Sequence, residues 1–127
     1  MNDIAQRIHD RLNIVQRDRV AALSQLRTLQ AAADSAKTTI HHLELKSLSD
    51  AARDSDPHAS ALHDLVELRQ QRARLKQSQS DLAQLHDKLK KIEKVIDSHK
   101  FWLDYANTTD PTRQNDAKDW FKHTIEY

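Results

Sequence analysis

Eight histidines and three His-Asp steps are the residues here whose types suggest chemistry. His41, His42, His58 and His63 lie close together in the chain, and three or four imidazoles can hold zinc. No HxxxH pair occurs, however, and on a helix His41 and His42 diverge by about 100°. A metal site is therefore not expected, nor any cofactor. Arg69, Arg72, Arg74 and Lys76, then Lys88, Lys90, Lys91 and Lys94, form two basic clusters that could neutralise phosphates. No aromatic residue is interleaved with them to stack on a single strand, and Lys and Arg equally suit the solvated flank of a coiled coil. Nucleic-acid binding is not the expectation. No Ser/His/Asp set, paired carboxylates or Gly-rich loop stands out as catalytic, so a non-enzymatic protein is expected.

The His-Asp steps are His9-Asp10, His63-Asp64 and His86-Asp87. The first continues as His9-Asp10-Arg11-Leu12-Asn13, which resembles the phosphoacceptor box of histidine-kinase dimerisation helices. There an exposed His is followed by an acid, with an amide or hydroxyl one turn on. The resemblance covers five residues and implies phosphotransfer through His9 in a hairpin that pairs into a four-helix bundle. The competing reading places these residues on the solvated side of an amphipathic helix.

The elements that carry these residues are punctuated by proline alone, because glycine is absent. Both prolines follow Asp, at Asp56-Pro57 and Asp110-Pro111. Asp caps the first free N–H groups of a helix, and Pro at the next position loses no needed donor. Each pair therefore marks a helix start. The expected elements are a helix over 3–48 capped by Asn2 or Asp3, a polar turn over 49–56, a helix over 57–105 and a short helix over 111–126. Together they form a single all-α domain, 1–127.

Hydrophobic spacing says how these helices meet. Leu12, Val15, Ala22, Leu26, Leu29, Ala33, Ala36, Ile40 and Leu43 fall at alternating three- and four-residue steps, interrupted by Arg19, with Ser47 following. Ala5 and Ile8 extend the series. In the second helix Leu68, Leu75, Leu82, Leu89, Ile96 and Leu103 recur every seven residues, accompanied by Gln71, Ser78, Leu85, Ile92 and His99. Folding back at the polar turn buries both stripes, with a contact such as Leu43 against Leu62. The expectation is a long antiparallel two-helix coiled-coil hairpin, with the short C-terminal helix packing at the open end.

Both phenylalanines, both tryptophans and both tyrosines lie between Phe101 and Tyr127. Phe101, Trp102, Tyr105, Trp120, Phe121 and Tyr127 suit either a small three-helix core, joined by Ala117 and Ile125, or an exposed anchor patch for a partner. Leu23, Leu65, Val66 and Val95 lie off the main stripes, which points to a homodimer of hairpins or to docking on another protein.

Composition bounds the rest. A net charge of +1 gives no global field toward nucleic acid or an anionic membrane, and cysteine is absent. The opening MNDIAQRIHDRLN has no apolar core of a signal peptide, and no apolar run approaches the ~20 residues needed to span a bilayer. The default location is cytoplasmic. The expected function is a coiled-coil adaptor or scaffold acting through protein–protein binding. Its hairpin is similar in shape to the stalk proteins of type III secretion ATPases and to tubulin-folding cofactor A. The alternatives are a small helical inhibitor of a partner enzyme and the phosphotransfer hairpin.

Overall fold

The computed structural model describes the backbone of residues 2–52 and 58–124 and the side chains of residues 2–49 and 62–124. Among the described residues it is 95% helical and contains no strand. Helix α1 runs Asp3–Ala52, α2 His58–Ala106 and α3 Pro111–His123. The two long helices pack against each other and α3 packs at the end, the expected fold class. No helix is long and apolar enough among the described residues to cross a membrane.

Local chemistry accounts for the helix ends. Asn2 is the cap of α1: its Oδ1 accepts from the Ala5 amide at 2.8 Å, and its carbonyl accepts the first helical bond from Gln6. Asp3 follows in the first turn, where a carboxylate complements the helix dipole, and pairs with Arg7 one turn on at 3.4 Å. Asp110 caps α3 through an Oδ1 bond from the Thr112 amide at 3.0 Å, with Pro111 opening the helix as expected. The first helix continues beyond the expected Leu48 to Ala52. Ser49-Asp50-Ala51-Ala52 is polar at its start but contains no Gly or Pro to break the helix. Residues 53–57 and 125–127 lie outside the described residues, so the Pro57 start, Ile125 and Tyr127 do too.

The chain forms two compact units, Met1–Ser24 with Leu85–Tyr127 and, separately, Gln25–Gln84. In the first, the α1 stripe Ala5, Ile8, Leu12, Val15 and Ala22 is buried, as are Leu85, Leu89, Ile92, Ile96 and His99 of α2. Leu103 is half-buried. Arg11 meets His99 and Arg19 meets Glu93, so partners fall along α2 as they rise along α1, the signature of antiparallel packing. Ile8 and Ile92 are fully enclosed, and each contributes about 1.5–3 kcal/mol by leaving water.

The second unit has a thinner core. Ala33, Ala36, Leu82 and Gln71 are buried, while Leu26, Leu29, Ile40, Leu43, Leu68 and Leu75 are half-buried. Its ion pairs, Glu44 with Arg72 and Lys46 with Asp64, are again antiparallel. Leu62, expected in the core against Leu43, is instead 65% exposed, while Leu43 is half-buried. The stripe traced back from Leu68 reaches Asp64 and Ala61, so Leu62 lies one position off the seam. Asp64 takes the seam place and is held by Lys46 at 3.1 Å.

Candidate functional site

Three helices of the first unit assemble the aromatic junction. Phe101, Trp102 and Tyr105 occupy one turn of α2, and Trp120 and Phe121 lie in the last turns of α3. Beneath them Ile4, Ala5 and Ile8 of α1, Ala106 of α2 and Ala117 of α3 form a buried cluster, against which Trp102, Leu103, Trp120 and Phe121 pack. The alanines let three backbones approach closely, and the large rings close the cluster over them.

The rings form a continuous set of stacked and edge contacts. Trp102 stacks on Trp120 with centroids 5.4 Å apart and planes at 11°. Trp102 also meets Tyr105 edge-on at 5.2 Å and Phe101 at 5.6 Å, while Phe101 and Tyr105 stack at 6.2 Å. The Tyr105 hydroxyl donates to Asp116 Oδ2 at 3.1 Å, and Arg113 lies over the Tyr105 ring. That bond to a carboxylate holds the phenol's proton and raises its pKa above the ordinary value, with desolvation as the lesser cause.

Backbone clasps tie the junction together. Asn2 Nδ2 donates to the Ala106 carbonyl at 2.6 Å and to the Thr108 carbonyl at 3.2 Å, fixing the start of α1 to the connection between α2 and α3. Gln114 Nε2 donates to the same Thr108 carbonyl at 2.7 Å.

Of the six rings expected here, Trp102, Tyr105, Trp120 and Phe121 are half-buried and engaged inside the unit, whereas Phe101 is 62% exposed. Core and exposed rim coexist. Tyr127 lies outside the described residues.

His99 is the functional-looking residue that periodicity placed but did not explain. Its seam position puts it between helices, where it is 1% exposed. Nδ1 donates to the Val95 carbonyl at 2.6 Å, and Nε2 accepts from Arg11 Nε at 2.8 Å. Guanidinium can only donate, so Nε2 carries no proton and the ring is the neutral Nδ1–H tautomer. The His99 and Trp120 rings meet at a steep angle, with centroids 4.9 Å apart. Burial pushes the His99 pKa below its ordinary value; the Val95 bond opposes this and the Arg11 charge reinforces it. Arg11 itself lies 3.6 Å over the Phe121 ring centroid and 5.7 Å from that of Trp120. One cation thereby joins α1 to α2 and α3.

A second feature lies in the Gln25–Gln84 unit. Leu45 and Leu48 on α1, and Leu62, Leu65 and Val66 on α2, are each 50–70% exposed. The seam beside them is polar, with Ser47 exposed and Asp64 half-buried. Helical spacing puts Leu62, Leu65 and Val66 on one outward face and Leu45 and Leu48 on another. Off-stripe spacing of Leu65 and Val66 signals this in the sequence. Leu45 and Leu48 carry no such signal, and Leu62 reads in the sequence as core opposite Leu43.

The remaining candidates are dispersed. His41, His42 and His63 are exposed, with the first two rings 6.4 Å apart, and no metal-holding group of three or more His, Cys, Asp or Glu side chains occurs among the described residues. His9 is half-buried with Nε2 3.4 Å from Asn13 Nδ2, and Asp10 accepts from Gln6. Arg72 pairs with Glu44, whereas Arg69, Arg74, Lys76, Lys88, Lys90, Lys91 and Lys94 are exposed. No protein-family model, curated protein or solved structure matches this chain.

Proposed function

We propose that this protein is a non-enzymatic helical adaptor that binds another protein through the outward apolar faces near the end of α1 and the start of α2. The observation that carries this reading is the exposure of Leu45, Leu48, Leu62, Leu65 and Val66 where the adjoining seam is polar. Single exposed aliphatic residues are ordinary, but grouped ones on one helical face mark contact surfaces. Leu62, Leu65 and Val66 have the i, i+3, i+4 spacing that meets an apolar groove or a helix.

Charge narrows the partner. Among the described residues there, Asp64 is engaged by Lys46, Glu44 by Arg72 and Glu67 by Gln71. Arg69, Arg74 and Lys76 remain exposed on the following turns of α2. An apolar surface with an acidic border is complementary to that arrangement. The aromatic junction, with most of its rings turned to internal contacts, is the lesser surface and offers chiefly Phe101.

The test is capture on the immobilised full-length chain, run beside a Leu65→Lys, Val66→Lys double variant. A protein retained saturably by the wild type and lost with the variant supports the reading. Identical retention by both chains sinks it. Sedimentation equilibrium of each chain alone adds the homodimer arm: a wild-type dimer that the variant dissociates identifies the partner as a second copy.

A further inference from the structure

We infer that the His99–Arg11 contact is a proton-operated latch, in which protonation of His99 expels the Arg11 guanidinium and releases α3 from the two long helices. The inference concerns the aromatic junction and stands whether or not the outward apolar faces bind a partner.

The contact has a single polarity. Nε2 of His99 must accept from Arg11 Nε across 2.8 Å. The other ring nitrogen is already donating to Val95, so the ring cannot turn to offer a second acceptor without giving up that bond. A proton on Nε2 therefore converts an acceptor into a donor facing a donor, and sets two cations against each other in a site 1% exposed on the histidine side. Among the described residues, no counter-charge faces the ring. α1 contributes Arg11, α3 contributes the uncharged ring of Trp120, and α2 contributes the Val95 carbonyl. Arg11 is the one charged side chain acting on the ring among the described residues, and it lowers the histidine's affinity for a proton.

Relief comes from moving Arg11, and α3 rests on Arg11. The guanidinium lies 3.6 Å over Phe121, and its Nη1 donates to the Phe121 carbonyl at 3.5 Å. α3 is otherwise held by the Trp102–Trp120 stack and by Ala117 in the buried cluster. It is 13 residues long and Ala117 is its one buried residue among those described. Trp120 and Phe121 are half-buried, and the Tyr105–Asp116 bond is exposed. Loss of the Arg11 platform thus removes a large share of the contacts of the last two turns. The α1–α2 seam below it, Ile8, Leu12, Ile92 and Ile96, does not depend on Arg11 and stays packed. Release parts Trp120 from Trp102 and opens both indoles to water.

The sign follows from linkage. A histidine whose pKa is lowered on folding stabilises the docked form above its unperturbed pKa of 6.5, and that stability is lost as pH falls through the folded value. In that interval one proton changes the undocking equilibrium roughly tenfold per pH unit.

The experiment is hydrogen exchange of the full-length chain from pH 7.5 to 4.5, with tryptophan emission recorded in parallel. Exchange rates are corrected for their intrinsic pH dependence. The wild type is expected to lose protection across 111–123 with a single-proton dependence below pH 6.5 and a red-shifted emission, while α1 amides near Ile8 and Leu12 stay protected. His99→Gln keeps an acceptor for Arg11 without a titrating proton, and should hold α3 docked across the range. His123→Gln, on α3 itself, should leave the wild-type profile unchanged. An unaltered profile in His99→Gln overturns the latch. Should that variant misfold, the His99 ring resonances of the wild type decide: a midpoint at or above 6.5, or titration without loss of protection in α3, also overturns it.

Discussion

The Trp102 and Trp120 indoles, one on α2 and one on α3, lie parallel with centroids 5.4 Å apart and planes at 11°. This stack joins the short helix to a long one, and it sits above a cluster built from alanine and isoleucine. Trp120→Ala should therefore cost about 2–3 kcal/mol, below the usual range for a fully buried tryptophan because both rings are half-exposed. Urea denaturation followed by Trp102 emission measures it. A loss under 0.5 kcal/mol would show that the stack contributes little to docking.

Asp110 acts on the same helix by different means. Its carboxylate satisfies the Thr112 amide and faces the positive end of the α3 dipole. Asp110→Ala should destabilise α3 by about 1 kcal/mol, and Asp110→Asn, which keeps the accepting oxygen, by much less. Amide exchange in residues 111–117 distinguishes the two, and equal effects would count against capping.

The seam of the Gln25–Gln84 unit makes the opposite prediction. Gln71 is buried at a position that elsewhere in α2 holds Leu85 or Ile92, and its amide is committed to Glu67 at 2.9 Å. Gln71→Leu should raise stability by about 1–2 kcal/mol by adding apolar burial to a thin core. Ala36→Leu should lower it by about 1–3 kcal/mol, because the buried alanine lets the helices approach where a larger side chain has no room. Thermal melts of the two variants should move in opposite directions.

Tyr105 offers a spectroscopic check on the junction. Its hydroxyl donates to Asp116, so ionising the phenol breaks that bond and brings two negative charges together. Tyr105 should titrate above the ordinary tyrosine value of 10.0, and Asp116→Asn should bring it down. Ultraviolet absorbance titration, with Tyr105→Phe to assign the signal, reads both. Because the folded value is raised, this contact stabilises the fold below pH 10 and is lost as pH climbs through the folded value.

Sequence alone determined the helices and their buried stripes. Asp110-Pro111 acts on its own first turn, and the seven-residue recurrence from Leu68 to Leu103 is a property of one helix, so both are written in neighbouring residues. Leu12, Val15, Leu85 and Ile92 were legible as seam positions for that reason and are buried. Tertiary structure decided what those patterns leave open. Trp102 stacks inward while adjacent Phe101 faces outward, because Trp120 arrives from another helix to cover only one of them. His99 looked like a polar lapse in a stripe until Arg11, 88 residues away, supplied the donor that fixes its tautomer. Leu62 likewise seemed available to the core, yet the register set by Asp64 and Lys46 turns it to solvent. Spacing along a helix specifies which face a side chain occupies; only the partner helix decides whether anything covers it.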